Sequence, residues 1–430
     1  VPRRAVRNSA TARGGNEHRR GDDLRPLASP TTEPAHGGPA GGSATPERSR
    51  ETLAIAALAA AAFALNLNTN VLGALLPFLG AEFGLDAERD KLLVAGAGFG
   101  SAFGALLLGL AAQRAGRRSV LVIGLVLFAA ASLGHVATSS FVALLVVRAL
   151  SGLGVGLAYA AASALVAEVA PYARRGRAMG LFNAGMFLAI PVGLPLSVWL
   201  ARSGAWRTIF VVQALLGVAG IVLALRTLPN RRVPQPMAAM WQALGAPGVA
   251  ATLLATMLHV GSFFTAVQLA TRWLDETGRL AKEQQMPLWI ALGTASVLGS
   301  ALLARFADRI GKRSFVLLTS AVLVGCFGVL AQGPGNVTLV ACAAVLALTA
   351  AARTGPLQAL LSGLVPGERL APLMAMRGFT MQLGVGLFAL AAAPVAAMGG
   401  FEAVLLLGAG CQFASYVVIR FGVREAQAPR

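Results

Sequence analysis

Charge is what this chain has least of. Only 13% of its 430 residues are Asp, Glu, Lys or Arg, whereas a soluble domain carries about 25%, so most of the chain does not face water. Acids are scarcer still, 18 against 36 bases, and none stands in the middle of a long apolar run. The three cysteines, Cys326, Cys342 and Cys411, lie inside apolar runs without metal-ligand spacing and read as small hydrophobes. No P-loop, metal-ligand cluster or Ser/His/Asp set is visible. Those absences argue against a pump with its own ATPase site, against a cofactor or metal centre, and against an enzyme.

Long apolar runs stand in their place. The chain is 56% hydrophobic with a mean hydropathy of +0.69, and a bilayer asks for about 20 apolar residues per crossing. Twelve such runs are expected, at about 52–79, 92–112, 119–137, 141–168, 178–200 and 206–228, then at about 247–274, 287–306, 314–331, 337–363, 371–398 and 401–421. The fold class this implies is all-α: a polytopic membrane protein with twelve transmembrane helices in two pseudo-symmetric six-helix bundles. Residues 1–50, rich in Arg, Gly, Pro, Ser and Thr, are expected to form a disordered cytoplasmic tail. The N-terminal bundle then covers 51–228, a proline-rich cytoplasmic linker 229–246, the C-terminal bundle 247–421 and a short cytoplasmic tail 422–430.

A long-period repeat supports the two halves. Gly109-Leu-Ala-Ala-Gln-Arg-Ala-Gly-Arg-Arg118 returns about 195 residues later as Ala304-Arg-Phe-Ala-Asp-Arg-Ile-Gly-Lys-Arg313. Pro171 to Arg174, with Met179, returns at the same offset as Pro366 to Arg369, with Met374. The bases of these loops all fall on one side of a twelve-span plan, which places that side and both termini in the cytoplasm. The net charge of +18 is therefore membrane topology rather than a nucleic-acid footprint. No stretch interleaves bases with aromatics as single-strand binders do.

The hinge, its repeat and the 6+6 plan resemble the major facilitator superfamily over all but the first fifty or so residues. The family's loop between spans two and three reads Gly-x-x-x-Asp-Arg-x-Gly-Arg-Arg/Lys. Gly109, Arg114, Gly116, Arg117 and Arg118 match it, with Gln113 at the acidic position; Asp308, Arg309, Gly311, Lys312 and Arg313 match the second copy, with Ala304 for the first glycine. Arg148-Ala-Leu-Ser-Gly152, with Gly154 and Gly156, resembles the fourth-span motif of proton-linked drug and sugar efflux members. Trp206-Arg207-x-x-Phe210 is similar to the opening of their sixth span, and Arg353-Thr-Gly-Pro356 to a tenth-span motif of arabinose-efflux-like antiporters. Two positions depart: Ile190-Pro191 stands where the antiporter motif has Gly-Pro, and Asn68 where an acid is often found. In the family the hinge carboxylate faces a helix N-terminus of the other half and helps hold the cytoplasmic side shut. With only Asp308 acidic, the expected gate is looser on the first-half side.

An ionisable group inside a span costs about 2.5–3.5 kcal/mol, which makes it a functional candidate. The candidates are Arg148, His259 and Arg353, with Glu168 at a membrane edge. Arg148 and Arg353 either meet substrate or bond within the protein. His259 is either a satisfied core histidine or a proton carrier, and Glu168, His259 and Asp308 are the proton-coupling candidates. Asn66 and Asn70 share a helix face that lines a cavity or bonds a neighbouring helix, and Asn68 and Gln358 join the polar set. Two arginines, a histidine and no mid-span acid predict a cavity that repels lipophilic cations and accepts neutral, polar or anionic compounds. The expected function is proton-coupled efflux of such a drug, sugar or metabolite by alternating access, from a monomer in the cytoplasmic membrane. The expected partners are the lipid bilayer, the small-molecule substrate and protons. An uptake permease of the same fold is the alternative, followed by a non-transporting sensor or scaffold.

Overall fold

The computed structural model describes residues 46–170, 175–230, 232, 242–303, 306–365 and 369–423. Most of the expected N-terminal tail, most of the linker and the repeated loops at 171–174 and 366–368 lie outside the described residues.

Helices follow the apolar runs. In the first half these are α1 (Pro46–Phe83), α2 (Ala87–Ala115), α3 (Arg117–Val136), α4 (Phe141–Val169) and α5 (Arg175–Leu188). A π turn at Ala189–Gly193 joins α5 to α6 (Leu194–Arg202), and α7 (Thr208–Thr227) follows. The second half holds α8 (Val249–Thr277), α9 (Lys282–Leu302), the short α10 (Phe306–Ile310), α11 (Lys312–Ala331), α12 (Asn336–Ser362) and α13 (Leu370–Gly422). No strand occurs among the described residues. Among the described residues eleven helical stretches are long and apolar enough to cross a bilayer. The last is two crossings, because Gly399 (φ −152°, ψ 26°) and Gly400 (φ 70°, ψ −168°) break α13. Helix α2 begins at Ala87 rather than near 92, since Glu88 and Asp90 occupy its first turn, where carboxylates favour the helix dipole.

The outside of the fold is apolar, as lipid requires. Val337 is 85% exposed, Val142 67% and Leu215 64%, while Ser132, Gln213, Thr256 and Ser262 are fully buried. The repeated hinge has one backbone shape in both copies: Gly116 has φ 84° and Gly311 φ 89°, a left-handed region that a side chain disfavours. That geometry turns the chain from α2 into α3 and from α10 into α11.

Small residues let α2 and α4 touch backbone to backbone. A methyl group on Gly100 would stand 2.2 Å from the Ala149 carbonyl oxygen, and one on Gly156 would stand 1.9 Å from that of Ser101. The Ser101 hydroxyl donates to the Gly152 carbonyl at 2.9 Å in the same seam.

Opposite the hinges, the Trp206-Arg207-x-x-Phe210 motif ties the first half together. Arg207 donates to Glu82 at 2.5 Å and to the carbonyls of Val136 and Thr138. Trp206 donates to Glu82 at 3.0 Å, and Phe210 stacks on His135 with ring centroids 4.2 Å apart. Glu82 lies past the end of its apolar span, and the hydrogen bond from Arg207 holds its carboxyl below the ordinary 4.5. A carboxylate depressed in the folded state adds stability above its unfolded value and loses it as pH falls through the folded one. We expect the melting temperature to fall on acidification below pH 4.5 by an increment that is missing in Glu82→Gln. The pair is partly exposed and so contributes about 1 kcal/mol or less. Parallel pH-melting curves of the two proteins that superimpose would sink this expectation.

Candidate functional site

A central cavity lies between the two halves. Its polar groups come from both: Asn66 and Thr69 of α1 and Tyr159 of α4 on one side, His259 of α8, Thr354 of α12 and Gln382 of α13 on the other. Its remaining wall is mostly apolar, with Phe187, Phe263 and Phe264 contributing rings. Among the described residues no Asp or Glu lines it. Phe263 also walls a second cavity, lined by Trp289, Phe327 and Phe401 of the second half and by Ile190 of the first.

The two arginines singled out in the sequence do not line the central cavity. Arg148 is 1% exposed and donates to the Asn68 side chain at 3.1 Å and the Asn68 carbonyl at 2.9 Å. Asn68 in turn donates to Gln213 at 2.7 Å, so one buried network joins α1, α4 and α7. Arg353 is fully buried and donates to Gln412 at 2.8 Å and to Ser415 at 2.7 Å. Gln412 also meets the His259 ring at 3.2 Å, so the second network joins α8, α12 and the last crossing of α13. These are the first, fourth and sixth crossings of each half. The arginines are not repeat partners in sequence, yet each binds the same three helices of its bundle.

The other predicted residues divide. Asn66 lines the cavity and donates to the Met186 carbonyl at 2.7 Å. Asn70 donates back to the Asn66 carbonyl at 2.8 Å and does not line the cavity. Gln358 reaches only the Met374 sulfur, at 3.7 Å, also outside the lining. Glu168 meets Arg117 at 3.2 Å, an ion pair between α4 and α3 at the hinge side. The side chains of Gln113 and Asp308 lie outside the described residues.

The last base of each hinge has one job twice over. Arg118 donates to the Leu228 carbonyl at 3.2 Å, just past the end of α7, and Arg313 donates to the Arg420 carbonyl at 2.5 Å, in the last turn of α13. A base at a helix C-terminus satisfies orphan carbonyls and opposes the helix dipole. Arg114 is exposed, and Arg309 sits over the Phe306 ring at 5.9 Å.

Away from the hinges the halves are latched. Arg272 of α8 pairs with Asp90 of α2, which is 1% exposed, and Arg272 also holds Glu276 at 2.6 Å. Beside this pair Gly73 of α1 abuts the Gln268 backbone, where a methyl group would have only 2.8 Å. Deeper in, Gly293 of α9 lies against Pro191 of the π turn, with 2.3 Å left for a methyl group.

Hydropathy does not single out Asp90, Arg272 or Arg377. Arg272 and Arg377 stand within about two turns of the ends of their crossings, where a long basic side chain ordinarily snorkels to water. Arg377 is instead 7% exposed. Its signal in the sequence is a lone base in Ala375-Met-Arg-Gly-Phe-Thr380, with apolar residues on both sides.

The model of the family described as "Major Facilitator Superfamily" matches residues 58–278. A relative described as "Probable sugar efflux transporter", of Mannheimia succiniciproducens, is 25% identical over 277 residues, covering 64% of this chain and 69% of its own. The galactose-proton symporter of Escherichia coli is 31% identical over 170 residues, 39% of this chain and 36% of its own. The crystal structure of a D-xylose-proton symporter superimposes with a TM-score of 0.71 at 17% identity, covering 87% of this chain and 98% of that one. That last likeness concerns the fold.

Proposed function

The chain belongs to the major facilitator superfamily, and from that premise we propose that it is a proton-coupled exporter of small neutral, polar or anionic organic compounds. As a member it is a multi-pass membrane transporter rather than an enzyme. The observation that carries the finer reading is the composition of the cavity: among the described residues, three polar groups from each half, apolar walls and no carboxylate. A site shared by two bundles can pass from one side to the other as they rock. Without an acid in its described lining it offers no opposite charge to offset a cation's desolvation.

Likeness to the sugar efflux relative over the longer stretch favours export. Likeness to the galactose-proton symporter supports the second reading, proton-coupled uptake. In our reading each bundle moves as one body, the protein works as a monomer in the cytoplasmic membrane, and the hinge side and both termini face the cytoplasm. His259 carries the coupling proton, being the one imidazole among the described residues of the cavity wall. Asn66 then contacts cargo, and Glu168 and Asp308 serve the hinge.

Proteoliposomes with an imposed pH gradient separate the readings. For an exporter, cargo moves against the proton flux and accumulates in the compartment that protons leave. Accumulation in the compartment that protons enter would establish the uptake reading instead. Transport of lipophilic cations in preference to neutral and acidic compounds would overturn the proposed cargo class.

A further inference from the structure

The side chains that surround Arg353 form a buried chain of hydrogen bonds. His259 is 3% exposed, and Ser262, Arg353, Gln412 and Ser415 are fully buried, so their polar atoms are satisfied from within the protein. His259 lines the central cavity, whereas Arg353, Gln412 and Ser415 lie behind that lining. The place of each proton in the chain is fixed by the groups that can only donate and those that can only accept.

A guanidinium donates and never accepts. Arg353 lies 2.8 Å from one end of the Gln412 amide, so that end is the oxygen, Oε1. The other end, Nε2, lies 2.8 Å from the Ser262 hydroxyl and 3.4 Å from the His259 carbonyl. Both accept there: a carbonyl has no proton to give, and the Ser262 proton goes to the Leu258 carbonyl at 2.7 Å. Two independent constraints thus set one orientation of the amide. Ser415 agrees with it, accepting from Arg353 at 2.7 Å and donating to the Ala255 carbonyl at 3.0 Å. Oε1 can then only accept, so the His259 Nδ1 that meets it at 3.2 Å carries a proton. A neutral imidazole holds one N–H, and Nε2 is left with the lone pair.

We infer that Gln412 and Arg353 are positioning residues that hold His259 in its Nδ1–H tautomer, which makes Nε2 the nitrogen that takes up the coupling proton. This rests on the reading of His259 as the proton carrier and adds the atom that does the work and the groups that present it. Nδ1 is turned toward Gln412, outside the cavity lining. In the opposite tautomer the basic nitrogen would face the network instead of the cavity. In the tautomer the network imposes, proton uptake leaves every bond of the network in place. Nε2 gains the proton, the ring becomes a cation with two N–H groups, and Nδ1–H still donates to Oε1.

The test is ¹⁵N nuclear magnetic resonance of the full-length protein, labelled at histidine and held in lipid nanodiscs at a mildly alkaline pH where the ring is neutral. Protonated and bare ring nitrogens give well-separated signals, and the His259→Asn difference spectrum picks out those of His259 among the four histidines. The parent should show a protonated Nδ1 and a bare Nε2. A bare Nδ1, or a mixture of the two forms, would overturn the inference. Gln412→Leu removes the acceptor and should lose the single form; Gln412→Glu, whose carboxylate also only accepts, should keep it. Arg353→Met frees the amide to turn its nitrogen toward the ring and should populate the Nε2–H form. A parent-like spectrum in both Gln412→Leu and Arg353→Met would mean that these residues do not set the tautomer. The parent spectrum decides the tautomer even if the buried substitutions prevent folding. Transport is read separately, in proteoliposomes. Proton-driven flux that survives His259→Asn would sink the coupling reading and leave the tautomer standing. Loss of that flux, with a bare Nδ1 in the parent, would do the reverse.

Discussion

Gly156→Ala is expected to lower the stability of the fold by a large fraction of its total. The added methyl group would lie 1.9 Å from the Ser101 carbonyl oxygen and 2.6 Å from its carbon. Both are backbone atoms, so no rotamer change relieves the clash, and α2 and α4 must move apart along their whole seam. That motion also pulls Gly100 from Ala149, Gly104 from Leu153 and Gly152 from Ala97, each of which leaves a methyl group 2.4 Å or less. Overpacking of this kind costs about 1–3 kcal/mol in adaptable cores, and a seam of rigid backbone puts the cost at the upper end or beyond. Total stability is only about 5–15 kcal/mol. Detergent extraction, gel filtration and melting check this, with Ser101→Ala as the control that removes only the 2.9 Å hydrogen bond to Gly152. A Gly156→Ala variant that elutes as one sharp peak and melts within about 2 °C of its parent would show that the seam yields.

Arg272→Ala should open the face away from the hinges, and should do so more strongly than Asp90→Asn. The asymmetry follows from burial: Asp90 is 1% exposed while the Arg272 side chain is 26% exposed. Removing the arginine strands a buried carboxylate, at a cost of about 3–5 kcal/mol, whereas removing the carboxylate leaves Arg272 with Glu276 at 2.6 Å. Opening hydrates Asp90 and relieves that cost, so the closed-to-open ratio should fall by about a hundredfold or more. Maleimide labelling of Val94→Cys, with Cys326, Cys342 and Cys411 replaced by serine, reports the opening, since Val94 is 2% exposed. The expected order of labelling is Arg272→Ala, then Asp90→Asn, then parent. Equal labelling in all three would mean that the pair is not a latch.

The twelve crossings and the hinge glycines were readable along the chain, because each depends on local sequence. An apolar run long enough for a bilayer must be a helix, as backbone polar groups find no water there. A glycine repeated in matching hinges marks a backbone shape that other residues disfavour, and Gly116 and Gly311 have that shape. The Trp206-Arg207-x-x-Phe210 resemblance pointed to a real cluster, though nothing in it names Glu82 as the partner.

Which way each polar side chain turns was decided only by packing. Arg148 and Arg353 are legible as buried charges, but their partners Asn68 and Gln412 lie 80 and 59 residues away. Distance along the chain says nothing of such pairs. Asn66, Asn68 and Asn70 sit within one and a half turns of α1, yet they face respectively the cavity, the Arg148 network and the Asn66 carbonyl. Arg377 is the plainest case. Composition and periodicity place it near a helix end, where an arginine ordinarily reaches water. Only the packing of the helices turns it inward, at 7% exposure. Sequence alone was enough for the class of molecule and its crossings, because hydrophobicity and backbone hydrogen bonding act locally. The chemistry of the cavity is a property of the gaps between helices, and those exist only once the helices have packed.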